Sequence, residues 1–163
     1  MIKGRAFKFG DHINTDLIIP GRYLDDYSTA NLAKHVLEDA DPTFAGKVRQ
    51  GDVIVAGRNF GCGSSREQAP LALKYAGVSV VVAASFARIF YRNAINVGLP
   101  LVVCARAAEE IKEGETVEVD LERGVVRASS GKELMFDPLP PFLVEILGQG
   151  GLVPYVRKRL RSE

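Results

Sequence analysis

Val53-Ile54-Val55-Ala56-Gly57-Arg58-Asn59-Phe60-Gly61-Cys62-Gly63-Ser64-Ser65-Arg66-Glu67 runs from an unbroken apolar segment through a glycine-bracketed turn to two hydroxyls and an arginine. The helical pattern Leu71-Ala72-Leu73-Lys74-Tyr75-Ala76 follows. The order is therefore strand, glycine turn, Ser-Ser-Arg, helix. Gly61 and Gly63 permit tight or left-handed backbone and close approach to a bound group. Unpaired N–H groups at a helix start attract anions. Arg66 adds a planar cation that grips a carboxylate with two bonds. Together with Ser64 and Ser65 these parts predict a carboxylate pocket with a hydroxyl aimed into it. The same residues also admit an ordinary structural account, with a serine capping the helix and the glycines making the turn.

Other motifs do not match. A Walker loop ends in Gly-Lys-Ser/Thr, whereas Ser64 is followed by Ser65-Arg66. A dinucleotide fingerprint and a nucleophile elbow both require glycine where Arg66 stands.

Working outward, Val78-Ser79-Val80-Val81-Val82-Ala83-Ala84 is rich in β-branched residues and nearly unbroken, as expected of a strand buried on both faces. Pro70 belongs in the first turn of the preceding helix, and Gly77 closes it. Ser85 is expected to cap a helix over 86–94, ended by Gly98 before a strand over 99–103. Strand–helix–strand–helix–strand at this spacing predicts right-handed parallel crossovers.

Upstream, Arg5–Phe9 alternates as a half-buried strand. It leads into Gly10-Asp11-His12-Ile13-Asn14-Thr15-Asp16, where the acids and amide either close turns or, for Asp16, orient a basic group or a substrate hydroxyl. Arg22–Thr29 reads as an exposed loop, and Ser28 or Thr29 caps a helix to about residue 38 with Leu32, Val36 and Leu37 as its stripe. Downstream come a short helix near 107–111 and alternating strands over 115–121, 124–128 and 133–136, an antiparallel meander. Helices over 143–147 and 152–160 finish the chain. A parallel core plus antiparallel strands predicts an α/β fold, a three-layer β/β/α domain spanning residues 1–163.

With 163 residues, one domain with a real core is expected. A net charge of +1 argues against nucleic-acid binding by bulk charge. No apolar run approaches membrane length and no signal-peptide stretch opens the chain, so a cytoplasmic protein is expected. Two cysteines, Cys62 and Cys104, and two histidines, His12 and His35, are too few to build a metal or iron–sulfur site easily.

Three segments carry a family resemblance. Gly10–Pro20 resembles the opening motif of the aconitase-type swivelling domain, Gly57–Glu67 its catalytic-serine loop, and Ala84–Asn93 the helix that follows. At this length the chain is similar to small subunits of the 3-isopropylmalate dehydratase and homoaconitase group. The resemblance implies a hydro-lyase that works with a separate large subunit, as a heterodimer or heterotetramer. That subunit carries a [4Fe–4S] cluster, and this chain binds none and no metal.

Carried over by position, Ser64 is the catalytic base, while Ser65, Arg66 and Asp16 contact a small di- or tricarboxylic acid. The loop holding Arg22, Tyr23 and Leu24 covers the substrate's variable group. Leu24 and Tyr27 favour an isopropyl group; Arg22 could serve an extra carboxylate, which Asp25 and Asp26 oppose. Where relatives often carry histidine after Ser-Ser-Arg-Glu, this chain has Gln68. A non-catalytic carboxylate-binding module would bind ligand alone, and a pure scaffold would keep activity without Ser64 and Arg66. An RNA-binding role lacks the basic, aromatic-rich face it needs.

Overall fold

The computed structural model describes residues 1–162. Its elements run β1 (Ile2–Lys8), α1 (Thr15–Ile18), a 3₁₀ turn (Gly21–Tyr23), α2 (Thr29–His35), α3 (Phe44–Lys47), β2 (Val53–Ala56) and α4 (Gln68–Ala76). They continue β3 (Val80–Ala83), α5 (Arg88–Val97), β4 (Leu101–Val103), α6 (Ala105–Glu110), β5 (Thr116–Asp120), β6 (Val125–Ala128), β7 (Glu133–Met135), α7 (Pro141–Gly148) and α8 (Leu152–Ser162).

The strands form a mixed seven-stranded sheet in the order β4-β3-β2-β1-β5-β6-β7. The first four are parallel, and β1 turns the sheet antiparallel by pairing with β5. β5, β6 and β7 form the expected meander.

Alternation within the valine-rich strands explains why both faces are apolar. Ile54, Ala56, Val81, Ala83 and Leu101 point to a core shared with Leu32, Phe44, Ala72, Leu73 and Phe90 of the helices. Val53, Val55, Val80, Val82 and Val102 point the other way. They meet Val117, Val119, Val126 and Leu134 of the antiparallel strands. The antiparallel part therefore covers the back of the parallel part, giving the β/β/α layering.

Several boundaries differ from expectation. Ser85 does not cap α5: the cap residue is Ala87, and Ser85 Oγ instead accepts from the Asn59 backbone N–H at 2.8 Å. α2 stops at His35 rather than near residue 38, because Leu37 takes a φ of 55° and its N–H bonds the Ile18 carbonyl. α6 begins at Ala105, directly after β4. Gly77 and Gly98 end α4 and α5 in left-handed conformations as expected.

Candidate functional site

The site lies beyond the carboxyl ends of parallel strands, where open α/β sheets generally bind ligands. Three loops leave β1, β2 and β3 there and are laced together by backbone hydrogen bonds. His12 N–H donates to the Arg58 carbonyl, Gly61 N–H to Ile13, Thr15 N–H to Cys62, and Phe60 N–H to Ser85. Ala87 N–H returns a bond to Phe60. The position of the serine loop is thus fixed from both sides before any side chain contributes.

Gly61 and Gly63 each serve a definite purpose. Gly61 has a φ of 83°, and a Cβ there would overlap the Phe90 ring and its Cβ. No other residue fits between the loop and α5. Gly63 has a φ of 97° and faces Thr15. Thr15 is buried, and its hydroxyl donates to the Ser64 carbonyl at 2.9 Å. The result is a cleft of ≈ 200 Å³ whose walls include Thr15, Ser64, Ser65 and Arg66 on one side and Arg88 and Asn93 on the other.

Neither serine caps α4. The cap residue is Glu67, without a side-chain bond, and α4 begins at Gln68, which is buried. This removes the structural account of Ser64 as an N-cap. It also corrects the expectation that the start of α4 faces the pocket. The loop residues 65–67 separate that helix start from Ser64, and the helix whose first residues, Arg88, Ile89 and Phe90, line the cleft is α5.

Arg66 is held in place. Its Nη1 donates to Asp16 Oδ1 at 3.0 Å and to the Ile19 carbonyl at 3.1 Å. Asp16 also accepts from the Gly21 N–H at 3.1 Å. Asp16 therefore does orient a basic group. The Arg66 hydrogen bond, then that of the Gly21 amide, hold the Asp16 carboxyl below the usual carboxylate range. α1 itself is nucleated by Asn14, whose side chain accepts from the Leu17 N–H.

The loop 22–24 is built differently from expectation. Arg22 donates to Asp39 at 2.6 Å and to Glu38 at 3.4 Å. Tyr23 stacks on His35 with ring centroids 3.6 Å apart, and its hydroxyl donates to Glu38 at 2.7 Å. His35 Nδ1 lies 2.6 Å from the other Glu38 oxygen. The His35 and Tyr23 hydrogen bonds hold the Glu38 carboxyl down. Leu24 is half-buried against the helix-side core. The structure thus commits Arg22 to Asp39 and Glu38 rather than leaving it for a substrate carboxylate. It leaves Tyr27 two-thirds exposed.

Sequence reasoning did not single out Thr15, Arg88 or Asn93 as site residues. Thr15 carried no chemical signal beyond its place between Asn14 and Asp16. Arg88 and Asn93 are five positions apart on α5, too far around the helix to share one face in the sequence pattern, and their common place at the cleft is visible only once the helix is packed against the loop. No metal-binding cluster of three or more His, Cys, Asp or Glu occurs among the described residues. Cys62 and Cys104 are free thiols, Cys104 buried with its Sγ toward the Met135 carbonyl. These residues do not fit an iron–sulfur cluster. No helix among the described residues is long and apolar enough to cross a membrane.

Comparison with known proteins follows the same lines. The sequence model of the aconitase C-terminal domain family matches residues 10–106. The chain is 59% identical to "3-isopropylmalate dehydratase small subunit 1" of Methanopyrus kandleri, over 97% of this chain and 94% of that one. It is 54% identical to the "isopropylmalate/citramalate isomerase small subunit" of Methanocaldococcus jannaschii, over 98% and 96%. A crystal structure of 3-isopropylmalate dehydratase from M. jannaschii superposes with a TM-score of 0.92 at 52% identity, covering 97% of this chain and 94% of that one. With its three laced loops and seven-stranded mixed sheet, this chain belongs to the aconitase C-terminal domain family, among the 3-isopropylmalate dehydratase small subunits.

Proposed function

We propose that the chain is the small subunit of a 3-isopropylmalate dehydratase, a hydro-lyase of leucine biosynthesis that interconverts 2- and 3-isopropylmalate by loss and re-addition of water. The observation that carries this reading is the Ser64 hydroxyl at the cleft beside a guanidinium that Asp16 and the Ile19 carbonyl hold in place.

Ser64 is the base in this reading. A serine alkoxide removes the proton next to a substrate carboxylate, which demands strong local stabilisation of the anion. Arg66 supplies positive charge, and with Nη1 already fixed, its remaining N–H groups are preorganised for the substrate carboxylate. Arg88 adds a second cation to the same cleft, and it forms no ion pair among the described residues. On the placement of the 22–29 loop that the family resemblance implies, Leu24 and Tyr27 would supply the apolar side for the isopropyl group. The engagement of Arg22 by Asp39 and Glu38 weighs against an extra carboxylate at that end, and so against homoaconitate.

The cluster expected in this family has no place on this chain, and the reading assigns it to a large subunit, in a heterodimer or heterotetramer. Two free cysteines fit a reducing compartment, and the proposed setting is the cytoplasm. The test is co-expression with the large subunit of the same source, followed by assay with 3-isopropylmalate, citramalate and homoaconitate. Turnover of 3-isopropylmalate by the complex and none by this chain alone is expected. A clear preference for homoaconitate, or turnover by the isolated chain, overturns the proposal.

A further inference from the structure

Two hydroxyls share the serine loop, and their surroundings differ. Asn93 Nδ2 donates to Ser65 Oγ at 3.3 Å, from the α5 wall across to the loop. The Ser64 hydroxyl has no protein partner among the described residues; its backbone carbonyl, not its side chain, is what Thr15 holds. Both serines and Asn93 line the same cleft.

A hydroxyl has one proton and two lone pairs. An amide N–H on one lone pair of Ser65 leaves its proton directed away from Asn93 and free for an acceptor bound in the cleft that both residues line. A carboxylate only accepts, so it needs such a proton. We propose that Asn93 is a positioning residue that keeps Ser65 as a hydrogen-bond donor to the substrate carboxylate beside Arg66. The division of labour between adjacent serines follows: Ser65 retains its proton and binds, while Ser64, with no donor or acceptor imposed on it, is free to lose one. The inference rests on the hydro-lyase reading above.

Chemistry at position 93 then matters more than size. Asn93→Asp replaces a donor with a group that only accepts when ionised. It takes the Ser65 proton for itself and sets a like charge in the cleft. Asn93→Ala removes the constraint and lets the Ser65 proton wander. Asn93 is half-buried on the outer part of α5, so both variants are expected to fold.

The experiment uses the complex with its large subunit and 3-isopropylmalate as substrate. Asn93→Ala is expected to raise KM about 5- to 20-fold with kcat within about threefold, the pattern of a lost contact made in ground and transition states alike. Asn93→Asp is expected to raise KM further. In a Ser65→Ala background, Asn93→Ala is expected to add less than about twofold, because its target is gone. Three results overturn the inference: an unchanged KM in Asn93→Ala, an equal penalty with and without the Ser65 hydroxyl, or loss of co-purification, which makes Asn93 an interface residue. A wild-type complex that turns over none of the three acids instead refutes the hydro-lyase reading itself.

Discussion

Thr15→Val replaces one hydroxyl by a methyl group at a buried position and keeps the β-branched shape. It removes the 2.9 Å hydrogen bond to the Ser64 carbonyl and leaves the Thr15 N–H bond to Cys62 intact. A typical intramolecular hydrogen bond contributes about 1 kcal/mol net, rising to about 3 when a buried partner is orphaned. Ser64 is exposed, so water can take over its carbonyl and the stability loss belongs at the low end, about 1 kcal/mol. For a chain of this size that lowers Tm by about 2–4 °C.

Catalysis is more sensitive than stability here. The lost bond anchors Ser64, the residue proposed as the base, and misplacement by a fraction of an ångström degrades proton transfer. If about 1.5–3 kcal/mol is lost from transition-state positioning, kcat falls roughly 10- to 100-fold. Substrate affinity should change little, because Arg66 and Ser65 are held by other contacts. The assay is steady-state kinetics of the reconstituted complex beside a thermal melt of the isolated chain. A kcat within twofold of wild type, at whatever Tm, would refute the argument that Thr15 positions Ser64.

Gly61→Ala forces a left-handed conformation on alanine and drives its Cβ into Phe90, so a loss of about 2–5 kcal/mol in denaturant unfolding is expected. Asp16→Asn should lower kcat/KM by a factor that is the same across about pH 6–8. The Asp16 pKa is depressed in the folded state, so its contribution is fully present above the ordinary carboxylate range and lost only as pH falls through the lower folded value. An acid limb lying within about pH 6–8 that disappears in the variant would contradict this. Asp39→Asn should loosen Arg22, and a gain of homoaconitate turnover in that variant would show that Asp39 restrains substrate choice. No change in the substrate panel would remove Arg22 from specificity.

The parallel core was legible because its signals are local and unambiguous. Residues 53–56 and 80–83 are short runs of valine, isoleucine and alanine that suit burial on both faces, and Gly77 and Gly98 supply left-handed helix ends. Elements set by long-range contacts were harder to read. Leu37 ends α2 by reaching for the Ile18 carbonyl, a partner nineteen residues earlier that no window on the helix contains. Ser85 has every local qualification for a cap, yet the incoming Asn59 amide engages it. α3, four residues over 44–47, carries no periodicity to detect.

The site divides in the same way. Ser64, Ser65 and Arg66 are contiguous, and Asp16 announced itself by type, so the loop and its acid partner could be named in advance. The opposite wall could not, because Arg88 and Asn93 acquire meaning only from the packing of α5 against Gly61. Arg22 misled for the opposite reason. As a loop arginine it looked available, but Asp39 and Glu38, seventeen and sixteen residues on, neutralise it.

Turnover by Ser64→Ala in the assembled complex is the most direct test of Ser64 as the base. An uncharged methyl group cannot take a proton, so kcat should fall by at least about 10²–10³ while the two subunits still co-purify and 3-isopropylmalate still binds. Wild-type turnover in that variant would show that the base lies elsewhere.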